Sequence, residues 1–482
     1  MTFVIILLLG IWILWRKSTE GLNFIDLVVG WGIKVFFGFV FIYIYTEYYG
    51  NGTLSSDINV FMWESEILKN VFHQNPSDYF KFLFGLEDQH MIEFYLSKTD
   101  HWSSGDMALI NDAQNVIRIN SLIYFISKGN IFIHLSLFAF AFLLGTRELY
   151  LALRDRVLIS NRYLWYSLML LPSFAFWSGS ILKEPLMLVG LFLVVRGLIS
   201  SLSFKERLWR IILGSLLMLM FKPYVFFILL IVLLPYFLFK FLFRFNALKS
   251  IAATLLLVLI SGLVFDGKRD AFVHFIWRKQ FDFDNVSRGG LHALAEADSC
   301  FYYFDVSQYK DIRFISNTHV ILKKPMHAKK MKLGSLYPFE NVYLKDTGKV
   351  WINYYSTNRC GSYFEPTLIG GSFTQLIKNI PEALVNAALR PFPNDPGGSL
   401  KWFNILETFL LFSGLIFSLI YFRNRRNSLD WDMIWLMIWF SILLFLLIGW
   451  TTPVLGAIAR YRIPAYLALF ICSILAVKKQ KA

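Results

Sequence analysis

Apolar runs long enough, or nearly long enough, to cross a bilayer recur along the chain, separated by polar segments of very unequal length. The runs cover residues 1–15, 24–45, 131–144, 163–177, 186–202, 211–221, 225–239, 251–265, 402–422 and 433–450, and residues 457–464 open a last one. The pattern predicts an all-α polytopic membrane protein of about eleven transmembrane helices with a large mixed extracytoplasmic loop. Three regions follow: an N-terminal transmembrane bundle over 1–265 that includes a loop at 46–128, a loop region at 266–400, and C-terminal helices over 401–482. The weakest span, 211–221, covers only about 16 Å at the helical rise and ends at Phe-Lys-Pro-Tyr, so Lys222 falls at or just below the surface. Inside the polar segments, residues 58–68 and 372–389 have helical amphipathic spacing, the latter suited to the membrane surface, while 350–355 alternates like a strand.

Composition agrees with a membrane class: 56% of the 482 residues are hydrophobic and only 17% charged. The net charge of +14 comes from 47 Lys and Arg against 33 Asp and Glu. In a soluble chain that excess would raise the question of nucleic acid, but here most of it lies in short loops and no nucleic-acid motif accompanies it. Arg147, Arg154, Arg156 and Arg162, then Lys205, Arg207 and Arg210, then Lys240, Arg244 and Lys249, then Arg423, Arg425 and Arg426 mark successive cytoplasmic loops. Counting spans between them places the N-terminus outside, the tail with Lys478, Lys479 and Lys481 inside, and both long polar segments outside. Arg16 and Lys17 follow the first apolar run rather than precede it, the reverse of a cleavable signal. The chain is therefore expected to be integral to a membrane.

The polar notch at 172–185, Pro-Ser-Phe-Ala-Phe-Trp-Ser-Gly-Ser-Ile-Leu-Lys-Glu-Pro, interrupts two apolar runs and carries Lys183 and Glu184 where charge is costly in lipid. It reads either as a hairpin cap, with Pro185 opening the next helix, or as the floor of an extracytoplasmic pocket with Lys183 directed at an anionic group. Adjacent helix residues do not share a face, so Lys183 and Glu184 are expected to have separate partners. Asp57, Asp106, Asp112, Arg118, Lys222, Arg390, Arg460 and Arg462 fall on the same side by this count. Each has an ordinary reading too: Asp57 as a helix cap, Asp112 and Arg118 as a solvated face, Lys222 as a snorkelling residue, Arg390 as a loop tie, Arg460 and Arg462 as interface anchors. Taken together, the basic residues suit a lipid phosphate or pyrophosphate, and the carboxylates suit proton abstraction from a sugar hydroxyl. His134, inside a span, reads as a packing residue. No cofactor is predicted, and the spacing gives no support to a divalent metal. Cys300 and Cys360 share one polar segment and, in an oxidising space, would close a loop of about 60 residues worth roughly 4 kcal/mol.

The Ser-Ser-Asp57 loop, the Phe-Trp-Ser-Gly-Ser-Ile-Leu-Lys183-Glu184 hairpin, Leu-Arg390-Pro-Phe-Pro and Arg460-Tyr-Arg462-Ile-Pro resemble polytopic bacterial membrane proteins of polysaccharide assembly, the GT-C superfamily and the O-antigen or exopolysaccharide polymerases. The resemblance implies use of polyprenyl-linked sugars outside the cytoplasmic membrane. It carries an acceptor-side acid onto Asp57 and pyrophosphate-holding arginines onto Arg390, Arg460 and Arg462. The chain departs from the family's paired acids, since Glu64 lies seven residues after Asp57. The leading expectation is transfer of a sugar or oligosaccharide from a polyprenyl (pyro)phosphate to an acceptor hydroxyl, with Asp57 and Glu184 catalytic and Lys183, Lys222, Arg390, Arg460, Arg462, Arg118 and Asp112 binding substrate. The expected partners are the lipid-linked donor, a saccharide acceptor and membrane lipids. A flippase for lipid-linked sugars, relying on Lys34 and Arg196, and a non-enzymatic envelope scaffold are the other classes.

Overall fold

The computed structural model describes residues 2–18, 21–102, 111–157, 159–295, 298–316, 319–332, 339–356, 358–421 and 430–475. Asp106, Arg423, Arg425, Arg426, Lys478, Lys479 and Lys481 lie outside the described residues. The protein is mostly helical, and packing divides the chain into two compact units. One comprises Met1–Ile231, Ile416–Asp430 and Ile471–Ala482, the other Val232–Leu415 and Trp431–Phe470.

In chain order the first helices are α1 (Thr2–Ser18), α2 (Phe24–Tyr43), α3 (Asp57–Gln74), α4 (Pro76–Phe84), the single turn α5 (Gln89–Met91) and α6 (Asp112–Ser127). They are followed by α7 (Ile131–Leu153), α8 (Asn161–Leu170), α9 (Pro172–Ser178), α10 (Lys183–Ile199), α11 (Phe204–Phe221) and α12 (Pro223–Phe243). Four helices are long and apolar enough to cross a membrane, covering Phe24–Tyr48, Ile131–Leu153, Pro223–Phe243 and Trp431–Thr451, and the number reaches six if each of two bent pairs is one span. These apolar helices mark a membrane-associated protein. Periodicity predicts about eleven spans, and several of the others are shorter or broken for local reasons. The run at 163–177 is two helices, because Pro172 cannot donate a backbone hydrogen bond and pushes Leu171 out of helical geometry to ψ 119°. Lys34, fully buried on α2, donates to the Met169 carbonyl at that break and to Ser178 Oγ, both at 3.0 Å. It also lies over the rings of Phe142 and Phe174. The 211–221 run is the apolar part of α11, whose first turns, Phe-Lys-Glu-Arg, are polar.

Helices α10 and α11 pack backbone to backbone. A Cβ added at Gly190 would meet the Gly214 carbonyl oxygen at 2.6 Å, and one added at Gly214 would meet the Gly190 oxygen at 2.5 Å. Gly145 of α7 faces Val189 of α10 in the same manner. Small residues let helices approach where lipid supplies no hydrophobic drive between them. Gly190→Val is therefore expected to lower the stability of this unit by about 1–3 kcal/mol, read as a lower unfolding midpoint in detergent; an unchanged midpoint would mean that the helices are not in contact there.

In the second unit α13 (Ala247–Val264) leads through a 105° bend into the polar α14 (Asp266–Arg288). Seven antiparallel strands follow: β1 (Leu291–Ala295), β2 (Asp298–Phe304), β3 (Ile312–Phe314), β4 (His319–Leu322), β5 (Met326–Lys332), β6 (Glu340–Leu344) and β7 (Val350–Ser356), in the order β3-β4-β7-β1-β2-β5-β6. The expected strand at 350–355 is thus β7. Alternation sends Leu291, Ala293, Tyr302 and Trp351 into one core, and Tyr303 and Met331 into another that meets Phe281 of α14. Cys300 belongs to the first core, and Cys360 lies in a loop where its N–H donates to Ser287. Both are free thiols, so the ring between them stays open.

The remaining elements are α15 (Phe373–Lys378), α16 (Ile380–Ala388), α17 (Lys401–Tyr421), α18 (Trp431–Thr451), α19 (Leu455–Tyr461) and α20 (Ile463–Leu475). The expected 372–389 helix is broken at Asn379, with Pro381 in the first turn of α16. Its small face packs into α18, where a Cβ at Gly449 would meet the Ala383 carbonyl oxygen at 1.9 Å.

Candidate functional site

Helix α10 begins at Lys183, with Pro185 inside its first turn rather than at its first position, and Leu182 before it provides no side-chain cap. The first-turn N–H groups and the helix dipole make this end electropositive, and a lysine there adds to the field instead of opposing it. The surroundings supply the missing negative charge. Lys183 Nζ lies 2.8 Å from Asp112 Oδ1, at the first position of α6, and Glu184 Oε1 lies 3.2 Å from Lys222 Nζ, at the end of α11. Consecutive residues thus take separate partners on separate helices, as their positions on a helix require.

The two pairs differ in environment. The side chains of Lys183 and Asp112 retain 16% and 33% exposure, whereas Glu184 and Lys222 retain 1% and 7%. The first pair is partly accessible to solvent. The second is sealed, and its worth lies in fixing α10 against α11, because separating either partner would strand a charge in a low-dielectric interior. Glu184, expected to be catalytic, is therefore placed as a support.

Arg118 is a support as well. It is buried, donating to the Phe82 carbonyl, to Asn115 Oδ1 at 2.9 Å and to Glu87 Oε1 at 2.8 Å. Desolvation pulls its pKa down and the Glu87 carboxylate pushes it back up. Asn115 in turn donates to the Met220 carbonyl, tying α6 to the end of α11 beside Lys222. Asp57 is the first residue of α3 and exposed, and Ser56 rather than Asp57 occupies the cap position. One turn later on the same face is Phe61, whose ring centroid lies 5.8 Å from Lys183 Nζ. Of the residues expected from sequence, Asp112, Lys183, Glu184 and Lys222 gather around one end of α10.

Arg390, Arg460 and Arg462 belong to the second unit. Arg462 is fully buried; its guanidinium donates to the Ala387 and Arg390 carbonyls and to Thr408 Oγ1, and it lies over the Tyr466 ring at 4.2 Å. Those carbonyls close α16, so Arg462 serves that helix as a C-terminal cation. Arg390 pairs with Asp395, donates to Asn386 Oδ1 and stacks over Phe364. Arg460 is half-buried two residues before Arg462.

No family model, curated protein or solved structure matches the chain. The geometry alone therefore carries the functional reading.

Sequence reasoning missed one polar cluster of the second unit. Asp284 of α14, 2% exposed, accepts from the Tyr363 hydroxyl at 2.8 Å and pairs with Arg288 at 3.1 Å, and Arg288 reaches Asp305 at 3.3 Å. Burial raises the Asp284 pKa against the pull of Arg288, lowers that of Lys329, and pushes His292 down to about 4. Its members come from α14, β1, β5 and a loop, a spacing no linear motif reveals. Among the described residues no group of His, Cys, Asp and Glu has a metal-binding arrangement.

Proposed function

We propose that the protein is a membrane glycosyltransferase or polysaccharide repeat-unit polymerase. It moves a sugar or oligosaccharide from a polyprenyl (pyro)phosphate to an acceptor hydroxyl at the extracytoplasmic face of a bacterial inner membrane. The observation that carries this reading is the partly exposed Lys183–Asp112 pair at the N-terminus of α10, which has no side-chain cap. Helix N-terminus and ammonium together favour a phosphate, and a phosphate that takes Lys183 frees the Asp112 carboxylate beside it. Asp57, on the same face of α3 as Phe61, orients the acceptor. In this reading the shorter and broken helices complete about eleven spans, with the N-terminus outside and the C-terminus inside.

A flippase for lipid-linked sugars is the second reading, favoured by the buried Lys34 at the α8–α9 break, since broken helices at membrane depth are common at carrier sites. The deciding experiment supplies host-derived polyprenyl-diphosphate saccharides to proteoliposomes holding the full-length protein. New glycosidic bonds, lost in Asp57→Asn and Lys183→Gln but kept in Lys34→Met, are the expected result. Movement of the saccharide across the bilayer without a new bond would replace the transferase with the carrier.

A further inference from the structure

A pair that this chemistry leaves unused lies on the same stripe of α3 as Asp57 and Phe61. Glu64 is fully buried, and its Oε1 accepts the backbone N–H groups of Asp100 at 2.7 Å and His101 at 3.2 Å. Its Oε2 lies 3.1 Å from His101 Nδ1. A carboxylate in that position holds the ring proton on Nδ1 and leaves Nε2 as the acceptor nitrogen. Among the described residues no hydrogen bond engages Nε2, and the imidazole side chain keeps 28% exposure. Gln114, two residues after Asp112, donates to the His101 carbonyl at 2.9 Å and fixes the backbone to α6. The imidazole centroid lies 5.6 Å from the Phe61 ring, the same ring that Lys183 Nζ approaches at 5.8 Å.

We propose that His101 is the proton acceptor of the transfer and that Glu64 is its positioning residue. The inference rests on the transferase reading. As the acceptor oxygen bonds to the anomeric carbon, its proton passes to His101 Nε2. The bond from that carbon to the phosphate oxygen breaks, and its electron pair leaves on the phosphate beside Lys183. The imidazolium formed is stabilised by the Glu64 carboxylate, and its proton then returns to water. Asp57 and Asp112 orient the hydroxyl rather than deprotonate it. Among the described residues the Glu64 carboxylate of α3 contacts the imidazole, Asp100 precedes it in the chain, and Lys183 of α10 approaches the Phe61 ring that the imidazole also approaches.

Two readouts on the full-length protein in nanodiscs test this. The first is carbethoxylation of His101 by diethyl pyrocarbonate at one fixed pH, followed by peptide mass spectrometry. Glu64→Gln is expected to change the modification rate by about threefold or more, because the ring loses the acceptor that keeps its proton on Nδ1 and presents Nε2. The second is turnover of host-derived polyprenyl-diphosphate saccharides. His101→Ala is expected to lose about 10²–10⁴-fold of the wild-type rate and to be rescued in part by added imidazole, which a merely structural role would not allow. Equal modification rates in wild type and Glu64→Gln, or wild-type turnover in His101→Ala, would overturn the assignment. Absence of turnover in the wild type with a changed modification rate would sink the transferase reading and keep the oriented imidazole.

Discussion

Replacing Lys222 by Met is expected to lower the stability of the first unit by about 3–5 kcal/mol, and adding Glu184→Gln to that variant is expected to restore most of the loss. The asymmetry follows from burial. Both side chains are nearly sealed from solvent and lie 3.2 Å apart, so the wild-type pair offsets its desolvation by mutual attraction. Removing the ammonium alone leaves the Glu184 carboxylate buried at the start of α10 without its opposite charge. Removing both charges leaves a neutral contact of similar volume. Unfolding in mixed micelles, followed by tryptophan fluorescence, measures the three variants. A single substitution no worse than the double would show that the two residues are not coupled.

The second large effect concerns Lys183. Transfer from a polyprenyl-diphosphate saccharide is expected to fall about 10²–10³-fold in Lys183→Gln, the magnitude associated with one preorganised group at a developing charge. Lys183→Arg should keep part of the rate, because the guanidinium retains the charge but not the ammonium's compact geometry. Asp112→Asn should behave differently. It removes the internal competitor for Lys183, so KM for the donor falls while kcat falls with it, because the acceptor loses an orienting carboxylate. Equal changes in KM and kcat for both variants would argue that the pair only holds α6 to α10.

The sequence revealed this site because charge in an apolar stretch is conspicuous. Lys183 and Glu184 stand out between two greasy runs, and their adjacency implies divergent partners before either partner is known. Asp112 and Lys222 were legible as polar residues on the same side, but their pairing depends on how α6 and α11 end, which is tertiary information. Glu64 and His101 were invisible for that reason: they lie 37 positions apart in the chain, and only the fold brings the carboxylate to Nδ1. Arg462 shows the converse. Its motif reads as a ligand for an anion, yet in the fold its guanidinium is engaged with the carbonyls that end α16. Hydropathy also ignores a single residue such as Pro172, which splits one apolar run into α8 and α9. The sheet was legible only as one alternating segment, because strand order depends on pairings across the whole loop region.

Binding of polyprenyl diphosphate to the full-length protein in nanodiscs tests the exchange at Lys183 most directly, with inorganic pyrophosphate as a headgroup-only comparison. Saturable binding that weakens about tenfold or more in Lys183→Gln and tightens in Asp112→Asn is the predicted result. Binding that is absent in the wild type, or identical in all three proteins, would contradict it.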